Sequence, residues 1–333
     1  MSRPPTMNDV AQAAGVALKT VSRYVNGETN INPELATRIR DAIVELGYRR
    51  NLAAASLRPG RSSRMIGLII SDLANPYYST IARAVETSAS AAGYLLITAS
   101  SEESGENHDR LVDRFIGQQV DGLIVVPPAR PARSWTDVTP PVPPLVVIDR
   151  PADGADGDTI LADNEGGAHA ATTALTEAGA RRIAFVGDTL ALYTMSERLN
   201  GYRRALEDAG LAFEEDLVVT GAHSAEEAAG IVLRLLHDQR PDAIFAANNR
   251  ASIGSVLAFR EAAKALPLIG FDDFESARLG TPAVSVATPQ IEEMGRLACE
   301  RLLARIEGDL SPSATTVLPV ELILRGSERG TTS

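Results

Sequence analysis

Cysteine and long apolar runs are scarce in this chain of 333 residues. Its only cysteine, Cys299, has no partner for an intrachain disulfide and stands in an apolar helical pattern, so we expect a core residue rather than a nucleophile. No apolar run approaches the roughly 20 residues that span a bilayer, and no basic segment with an apolar core opens the chain. We therefore expect a soluble, cytoplasmic protein that makes no contact with a membrane.

The motifs of common enzyme classes are also missing. We find no Walker loop, no serine elbow, no Gly-x-Gly-x-x-Gly, and no metal-ligand spacing among His108, His169, His223 and His237. The sequence thus predicts a protein that is not an enzyme, with no catalytic residue, no cofactor and no metal.

The charge of the chain is unevenly distributed. The net charge of −11 argues against a nucleic-acid partner, but residues 1–64 hold ten basic residues against five acidic ones, a net +5 that leaves −16 to the rest. A basic head on an acidic body attracts phosphates at one end and repels DNA from the remainder. Before any motif is considered, the alternative is that this uneven distribution of charge arose by chance.

The first 50 residues predict three short helices. Thr6 is a candidate N-cap for a helix over 7–14, and Gly15 permits the sharp turn that follows it. A second helix is predicted over 18–25 and a third over 33–46, each with an apolar face. This order of elements is the plan of a helix-turn-helix.

In a helix-turn-helix the second helix presents its outer face to base edges. Lys19 and Arg23 are long donors suited to guanine, whereas Leu18 suits apolar contact with a thymine methyl group. The polar residues left for DNA phosphates are Thr20, Ser22 and Asn26. A structural three-helix bundle with a solvated basic face is the alternative, and the spacing alone does not separate the two.

These residues resemble the N-terminal signature of the LacI/GalR repressors. The resemblance is carried by Thr6-Met7-Asn8-Asp9-Val10-Ala11, Ala14-Gly15-Val16, Thr20-Val21-Ser22-Arg23, Asn26-Gly27, Ile31, Arg38-Ile39, Leu46-Gly47-Tyr48 and Asn51. Further similarity runs to near the C-terminus, so that the resemblance covers almost the whole chain. It implies a transcriptional regulator, usually a repressor, that binds a palindromic double-stranded DNA operator as a homodimer or higher oligomer. It also implies DNA-backbone contacts at Thr6, Tyr48 and Asn51.

Residues 51–64 predict a conditional helix followed by a linker, because they are rich in alanine at the start and in Pro, Gly and Ser at the end. So short a helix is marginal in water and would form only with DNA and a second subunit present. In the resembled family this hinge pairs across the dimer and inserts a leucine into the minor groove. Leu57 matches that residue, with Ala54 beside it; a plain linker with a buried Leu57 is the alternative.

From Met65 onward, short apolar runs alternate with amphipathic helices, which indicates parallel sheets covered on both faces. The predicted strands cover 65–70, 94–98, 122–126, 145–148, 183–187, 217–220, 243–246 and 268–270, with helices over 79–92 and 105–118. Two such α/β lobes resemble a periplasmic binding protein.

The fold class is therefore an all-α helix-turn-helix DNA-binding domain (1–50), a hinge (51–64) and an α/β periplasmic-binding-protein-like effector domain (65–333) of two parallel-sheet lobes. We place lobe one at about 65–163 and 289–317, and lobe two at about 164–288 and 318–333.

Ligands of open α/β lobes bind at the carboxyl ends of the strands, so polar residues there are candidates for effector contact. The candidates are Tyr77, Tyr78, Asp149, Arg198, Asn248 and Asp272. Arg198 and Asp272 match family positions that contact small molecules, and carboxylate and guanidinium groups suit the hydroxyls of a sugar-like effector.

Alternatives remain open for the effector domain. Asp and Asn residues after strands also cap helices. A DNA binder that senses no small molecule, a solute-binding protein and a sugar-active enzyme built on the same lobes are the other functions considered.

Overall fold

A computed structural model describes residues 3–28, 30–49 and 62–329 of the chain. The chain divides into two compact units, Met1–Ser63 and Arg64–Ser333. In the described ranges no helix is both long and apolar enough to cross a membrane.

The N-terminal unit contains the three predicted helices, α1 (Met7–Ala14), α2 (Leu18–Val25) and α3 (Pro33–Leu46). One side chain or more from each helix is fully buried in a common core, including Val10, Val21 and Ile39. The core is small because only one face of each helix is apolar, which leaves the outer face of α2 in solvent.

Local chemistry fixes both ends of α1. The Thr6 side chain accepts a hydrogen bond from the Asp9 backbone while the Asp9 carboxylate accepts from the Thr6 backbone at 2.7 Å, which forms a reciprocal capping box. Gly15 ends the helix at φ 62°, and a Cβ there would collide with the Arg38 guanidinium. Glycine at this turn thus meets two needs at once, a left-handed backbone and a close approach of α3.

The second unit contains two six-stranded sheets, each the centre of one lobe. The strands of the first sheet, which defines lobe one, are β1 (Met65–Ile70), β2 (Leu95–Ser100), β3 (Gly122–Val125), β4 (Leu145–Ile148), β5 (Asp158–Ala162) and β11 (Thr315–Leu318). Those of the second sheet, which defines lobe two, are β6 (Ile183–Val186), β7 (Val218–Val219), β8 (Ala243–Ala246), β9 (Leu268–Phe271), β10 (Ser285–Pro289) and β12 (Val320–Ile323). The sheet order is β11-β5-β4-β3-β1-β2 in lobe one and β12-β10-β9-β8-β6-β7 in lobe two.

Helices cover both sheets and place apolar side chains on the strands. They are α4 (Pro76–Ala91), α5 (Gly105–Gly117), α6 (Asn164–Glu177), α7 (Tyr193–Asp208), α8 (Ala225–Arg234), α9 (Asn249–Glu261) and α10 (Ile291–Ile306). Cys299 lies fully buried on α10 in the core of lobe one, where burial raises the pKa of its thiol to about 11. It is therefore a core side chain and not an activated nucleophile.

The parallel α/β lobes are confirmed, with some differences from the sequence prediction. β5, β10, β11 and β12 are absent from the predicted strands. α4 begins at Pro76 rather than at residue 79, because Asn75 caps it. β12 pairs antiparallel with β10, whereas the other strand pairs in both sheets are parallel. β12 follows β11 of the other lobe after one residue, so no helical crossover in its own sheet sets its direction.

Candidate DNA-binding surface and effector cleft

The second helix of the N-terminal unit exposes the residues that the sequence assigns to base contact. The Leu18 side chain is 46% exposed, and Lys19 beside it is exposed. Arg23, one turn further along α2, is half-buried. None of the three belongs to the core around Val21.

The residues assigned to DNA phosphates surround this face. Thr20 and Ser22 are half-buried on α2, and Asn26 is exposed at its C-cap. Tyr48 packs partly against the core, and the Thr6 hydroxyl donates to the Asp9 carboxylate at 2.7 Å. Asn51, Ala54 and Leu57 lie outside the described residues.

In the second unit, the two lobes place one aspartate each at the same point of their sheets. Asp149 follows β4 and Asp272 follows β9, which occupy the third position in their respective sheets. Both have a left-handed backbone, with φ of 71° and 66°, and both are buried. Two non-glycine residues with this conformation at equivalent positions point to a functional constraint on the carboxylates.

Side chains of lobe one satisfy Asp149. Tyr77 and Tyr78 donate their hydroxyls to its two carboxylate oxygens at 2.8 and 3.1 Å, and Arg150 Nε donates at 3.1 Å. Burial, followed by the charge of Asp149, raises the pKa of Tyr77 well above its usual value. The tyrosines are therefore neutral donors at any physiological pH.

Glu103 was not predicted, but it binds the outer side of the same network. Arg150 forms a bidentate pair with the Glu103 carboxylate, at 2.9 and 2.8 Å, and donates to the Pro127 carbonyl at 2.9 Å. Burial opposes ionisation of Glu103, yet the hydrogen bonds and charge of Arg150 lower its pKa below the usual value. Glu103 stands in the loop after β2, where the carboxyl-end rule could have found it.

Lobe two arranges its polar groups around Arg198 on α7. Arg198 donates to Asn164 Oδ1 at 2.8 Å and to the Ala247 carbonyl at 2.7 Å, and its guanidinium lies 3.7 Å from the centre of the Phe271 ring. Its bonds to the Asp272 carboxylate are longer, at 3.3 and 3.4 Å. Asp272 thus keeps acceptor capacity that the protein itself fills only weakly.

The charge of Asp272 is costly in this position. Burial raises the pKa of its carboxyl, Arg198 acts in the opposite direction, and the negative charge of Asp149 in lobe one raises the pKa further. The two aspartates therefore repel each other across the cleft between the lobes.

Two contacts join the lobes at the edge of the cleft. Asn249 of lobe two donates its amide to Asn75 Oδ1 of lobe one at 2.7 Å, and Arg250 forms an ion pair with Asp72. Asn75 also caps α4 by accepting from the Tyr77 backbone at 3.0 Å. We refer to these two pairs as the interlobe contact.

Five of the six predicted effector residues therefore lie in the two buried networks. The sixth, Asn248, is half-buried and caps α9 through a bond from the Ala251 backbone at 2.7 Å, as the helix-capping alternative anticipates. Asn164 was missed because it follows β5, one of the strands that the sequence prediction omits. Among the described residues, no group of three or more His, Cys, Asp or Glu side chains is placed to hold a metal ion.

Comparison with known families matches both units. Residues 6–51 match the model of bacterial regulatory proteins of the lacI family, and residues 172–328 match the periplasmic binding protein-like domain. The chain is 32% identical to the ribose operon repressor of Escherichia coli strain K12 over 330 residues, which covers 97% of this chain and 99% of the repressor. It is also 32% identical to the transcriptional regulator CelR of Thermobifida fusca, with 98% of each protein covered.

Solved structures agree with this assignment. A complex of the regulator CelR with cellobiose superposes with a TM-score of 0.70 at 30% identity, over 97% of this chain and 99% of the other. The lac repressor dimer bound to operator and the anti-inducer ONPF shares the fold, with a TM-score of 0.84 at 24% identity, over 98% and 99% of the two chains. The chain belongs to the LacI family of bacterial regulatory proteins, and it is a DNA-binding transcriptional regulator rather than an enzyme.

Proposed function

We propose that this regulator is an effector-responsive repressor that binds a palindromic operator as a homodimer in the cytoplasm. The observation that carries the proposal is the exposed outer face of α2, on a helix-turn-helix whose sequence matches the lacI family over 6–51. Relatives across the whole length are named as operon repressors. A cytoplasmic location follows from the need to reach the chromosome.

On this proposal α2 lies in the major groove. Lys19 and Arg23 donate to guanine N7 and O6, and Leu18 contacts a thymine methyl group. Thr6, Thr20, Ser22, Asn26, Tyr48 and Asn51 bind the phosphate backbone and fix the register. In the hinge, Leu57 and Ala54 enter the minor groove at the centre of the operator.

The effector binds in the cleft, and its polar groups are recognised chiefly by lobe two. Asp149 is already satisfied by three donors of lobe one, whereas Asp272 is held only by long bonds from Arg198. A ligand hydroxyl that donates to Asp272 would replace weak bonds by a short one. Tyr77 and Tyr78 can then pack against a less polar face of the ligand.

A sugar is the effector class we propose. Hydroxyls can both donate to the Asp272 carboxylate and accept from Arg198, which suits a carbohydrate better than an anionic or cationic metabolite. Relatives support the class by their names, since one is a ribose operon repressor and another was solved with cellobiose.

The homodimer requires a self-complementary surface, and lobe two offers an apolar one. A cavity of about 820 Å³ lies between α9 and residues 274–284, with Leu279 81% exposed and Leu257 41% exposed at its edge. We assign this surface to a second copy of the chain, because a palindromic operator pairs two helix-turn-helix units by a two-fold axis.

Selection from random DNA tests the proposal for DNA binding. We expect enrichment of an inverted repeat with a flexible pyrimidine–purine step at its centre, where a wedge from the hinge would kink the duplex. A single asymmetric site would contradict the dimer, and no enrichment at all would contradict sequence-specific binding.

A thermal-shift screen of sugars, with nucleosides and amino acids as comparison sets, tests the effector. A ligand of the folded state raises the melting temperature with concentration, and the true effector must also change the affinity for the selected operator. Stabilisation by nucleosides only would overturn the sugar assignment.

A further inference from the structure

Arg23 is held in place by two residues of the segment that joins α2 to α3. Its Nε donates to Glu28 Oε2 at 2.6 Å. Its Nη2 donates to the Asn30 side-chain oxygen and, at 3.4 Å, to the Asn30 carbonyl. Both partners follow α2 within one short turn, so the clamp is local to the helix that presents Arg23.

The clamp uses Nε and Nη2 of the guanidinium and leaves Nη1 without an acceptor among the described residues. Arginine can form two parallel hydrogen bonds either through Nε and Nη2 or through Nη1 and Nη2. Glu28 and Asn30 occupy the first of these edges. Among the described residues nothing accepts a hydrogen bond from Nη1, whereas Nη2 donates both to the Asn30 side-chain oxygen and, at 3.4 Å, to the Asn30 carbonyl. A ligand with two adjacent acceptors can therefore bind Nη1 and replace the long bond from Nη2 to that carbonyl.

Guanine presents such a pair in the major groove, N7 and O6, and bidentate arginine is the commonest contact that reads it. An arginine side chain that moves freely loses conformational entropy when it binds a base. The Arg23 side chain, already held by Glu28 and Asn30, has less entropy to lose, which favours the correct base over a general attraction to phosphates.

We propose that Glu28 is a positioning residue that holds Arg23 for bidentate reading of a guanine, with Asn30 completing the clamp. This inference rests on the proposed base contact of Arg23. A role in stability alone does not explain the pair, since exposed ion pairs of this kind stabilise proteins little, and the Arg23 and Glu28 side chains are 35% and 46% exposed.

The carboxylate also has a cost on DNA. A negative charge beside the recognition helix repels phosphates, so Glu28 weakens binding to every sequence while it sharpens the reading of one. The clamp therefore makes a distinctive prediction: its removal tightens non-specific binding and loosens discrimination at one base pair.

The experiment measures binding of the full-length protein to three DNA duplexes of equal length: the selected operator, the operator with one G·C pair changed, and a scrambled sequence. For Glu28→Gln we expect discrimination at the Arg23 base pair to fall by roughly three- to tenfold, while affinity for scrambled DNA rises. Glu28→Asp, which keeps the charge on a shorter side chain, should lose discrimination without the gain in non-specific affinity.

Glu45→Gln is the matched control. Glu45 is exposed on α3 of the same unit, so this variant removes an equal charge without touching Arg23. It should change affinity for all three duplexes alike and leave discrimination intact. Equal loss of discrimination in Glu28→Gln and Glu45→Gln would overturn the proposal in favour of a general charge effect.

The Arg23→Ala variant separates this proposal from the one it rests on. If Arg23→Ala keeps full discrimination, the base contact itself is wrong and the clamp falls with it. If Arg23→Ala loses discrimination but Glu28→Gln keeps it, only the positioning role is overturned. We expect Glu28→Gln to have no further effect on discrimination in the Arg23→Ala background, as in a coupled pair.

Discussion

Asp272 and Asp273 are adjacent in the chain but respond to their surroundings in opposite ways. Burial raises the pKa of Asp272, and the nearby Asp149 adds to the effect against the influence of Arg198. Asp273 is also penalised by burial, but hydrogen bonds from Arg325 and Arg278 lower its pKa below the usual value. The carboxylate of Asp272 is held by the long bonds from Arg198, whereas that of Asp273 accepts short bonds from Arg325.

This opposition predicts two different pH dependences of stability. An acid with a raised pKa in the folded state loses stability as the pH rises from the unfolded value of 3.8 through the folded one. Asp272→Asn should therefore lose less stability than the wild type over that window. Urea unfolding at a series of pH values measures the slopes.

Asp273→Asn is the matched control with the opposite sign. Its ionised carboxylate stabilises the fold above 3.8, and that contribution is lost as the pH falls through its lowered pKa. The variant should therefore be destabilised near neutral pH and approach the wild type in acid. Parallel slopes for the wild type and both variants would contradict the assigned environments.

The same two variants test whether Asp272, and not its neighbour Asp273, contacts the effector. Asp272→Asn should abolish the melting-temperature shift caused by the effector, because it replaces the carboxylate that accepts the ligand hydroxyl, while operator binding persists. Asp273→Asn should retain the shift. An unchanged effector response in Asp272→Asn would remove this residue from the proposed site.

At the scale of elements, the interlobe contact connects α4 of lobe one to α9 of lobe two. Asn249 is buried and donates to Asn75, whose oxygen also caps α4. Asn249→Asp would set a carboxylate against that oxygen and replace attraction by repulsion. We expect the lobes to separate, which solution X-ray scattering would detect as a larger radius of gyration.

Asn200→Asp is the control for this change. Asn200 is exposed on α7 and its amide donates to Glu197 of the same helix. The variant therefore adds the same charge outside the interlobe contact, and its scattering should match the wild type. If Asn249→Asp scatters like the wild type, the contact between Arg250 and Asp72 suffices to hold the lobes, and the double variant with Arg250→Gln becomes the deciding measurement.

Sequence periodicity predicted most elements because apolar alternation and caps are local signals. The three helices of the first unit could be predicted from local residues alone, such as the cap at Thr6, the turn at Gly15 and the apolar spacing over 33–46. β5 was missed because its five residues lie between two loops without a long apolar run. Asn164 was not predicted either, because it follows β5 directly. The Arg150–Glu103 ion pair was not predicted because its residues are 47 positions apart and meet only when lobe one is folded.

At the scale of the whole molecule, the exposed apolar surface of lobe two predicts the oligomeric state. Leu279→Glu places a charge on a side chain that is 81% exposed in the single chain, so the fold should tolerate it. We expect the variant to sediment as a monomer at concentrations where the wild type is a dimer, and to bind the operator at least tenfold more weakly.

Leu310→Glu serves as its control. Leu310 is 94% exposed in the loop before β11 of lobe one, and it does not line the apolar cavity of lobe two. It should leave both sedimentation and operator affinity unchanged. A dimeric Leu279→Glu would move the interface elsewhere on the chain.

Three connections pass between the lobes, after β5, after β10 and between β11 and β12. The last is a single residue, Pro319, whose ring fixes one of its two backbone torsions. Three connections, one of them a single proline, leave the lobes few backbone torsions about which they can move relative to each other. If the proposed effector acts by moving the lobes relative to each other, a substitution at Pro319 should alter how strongly the effector changes operator affinity.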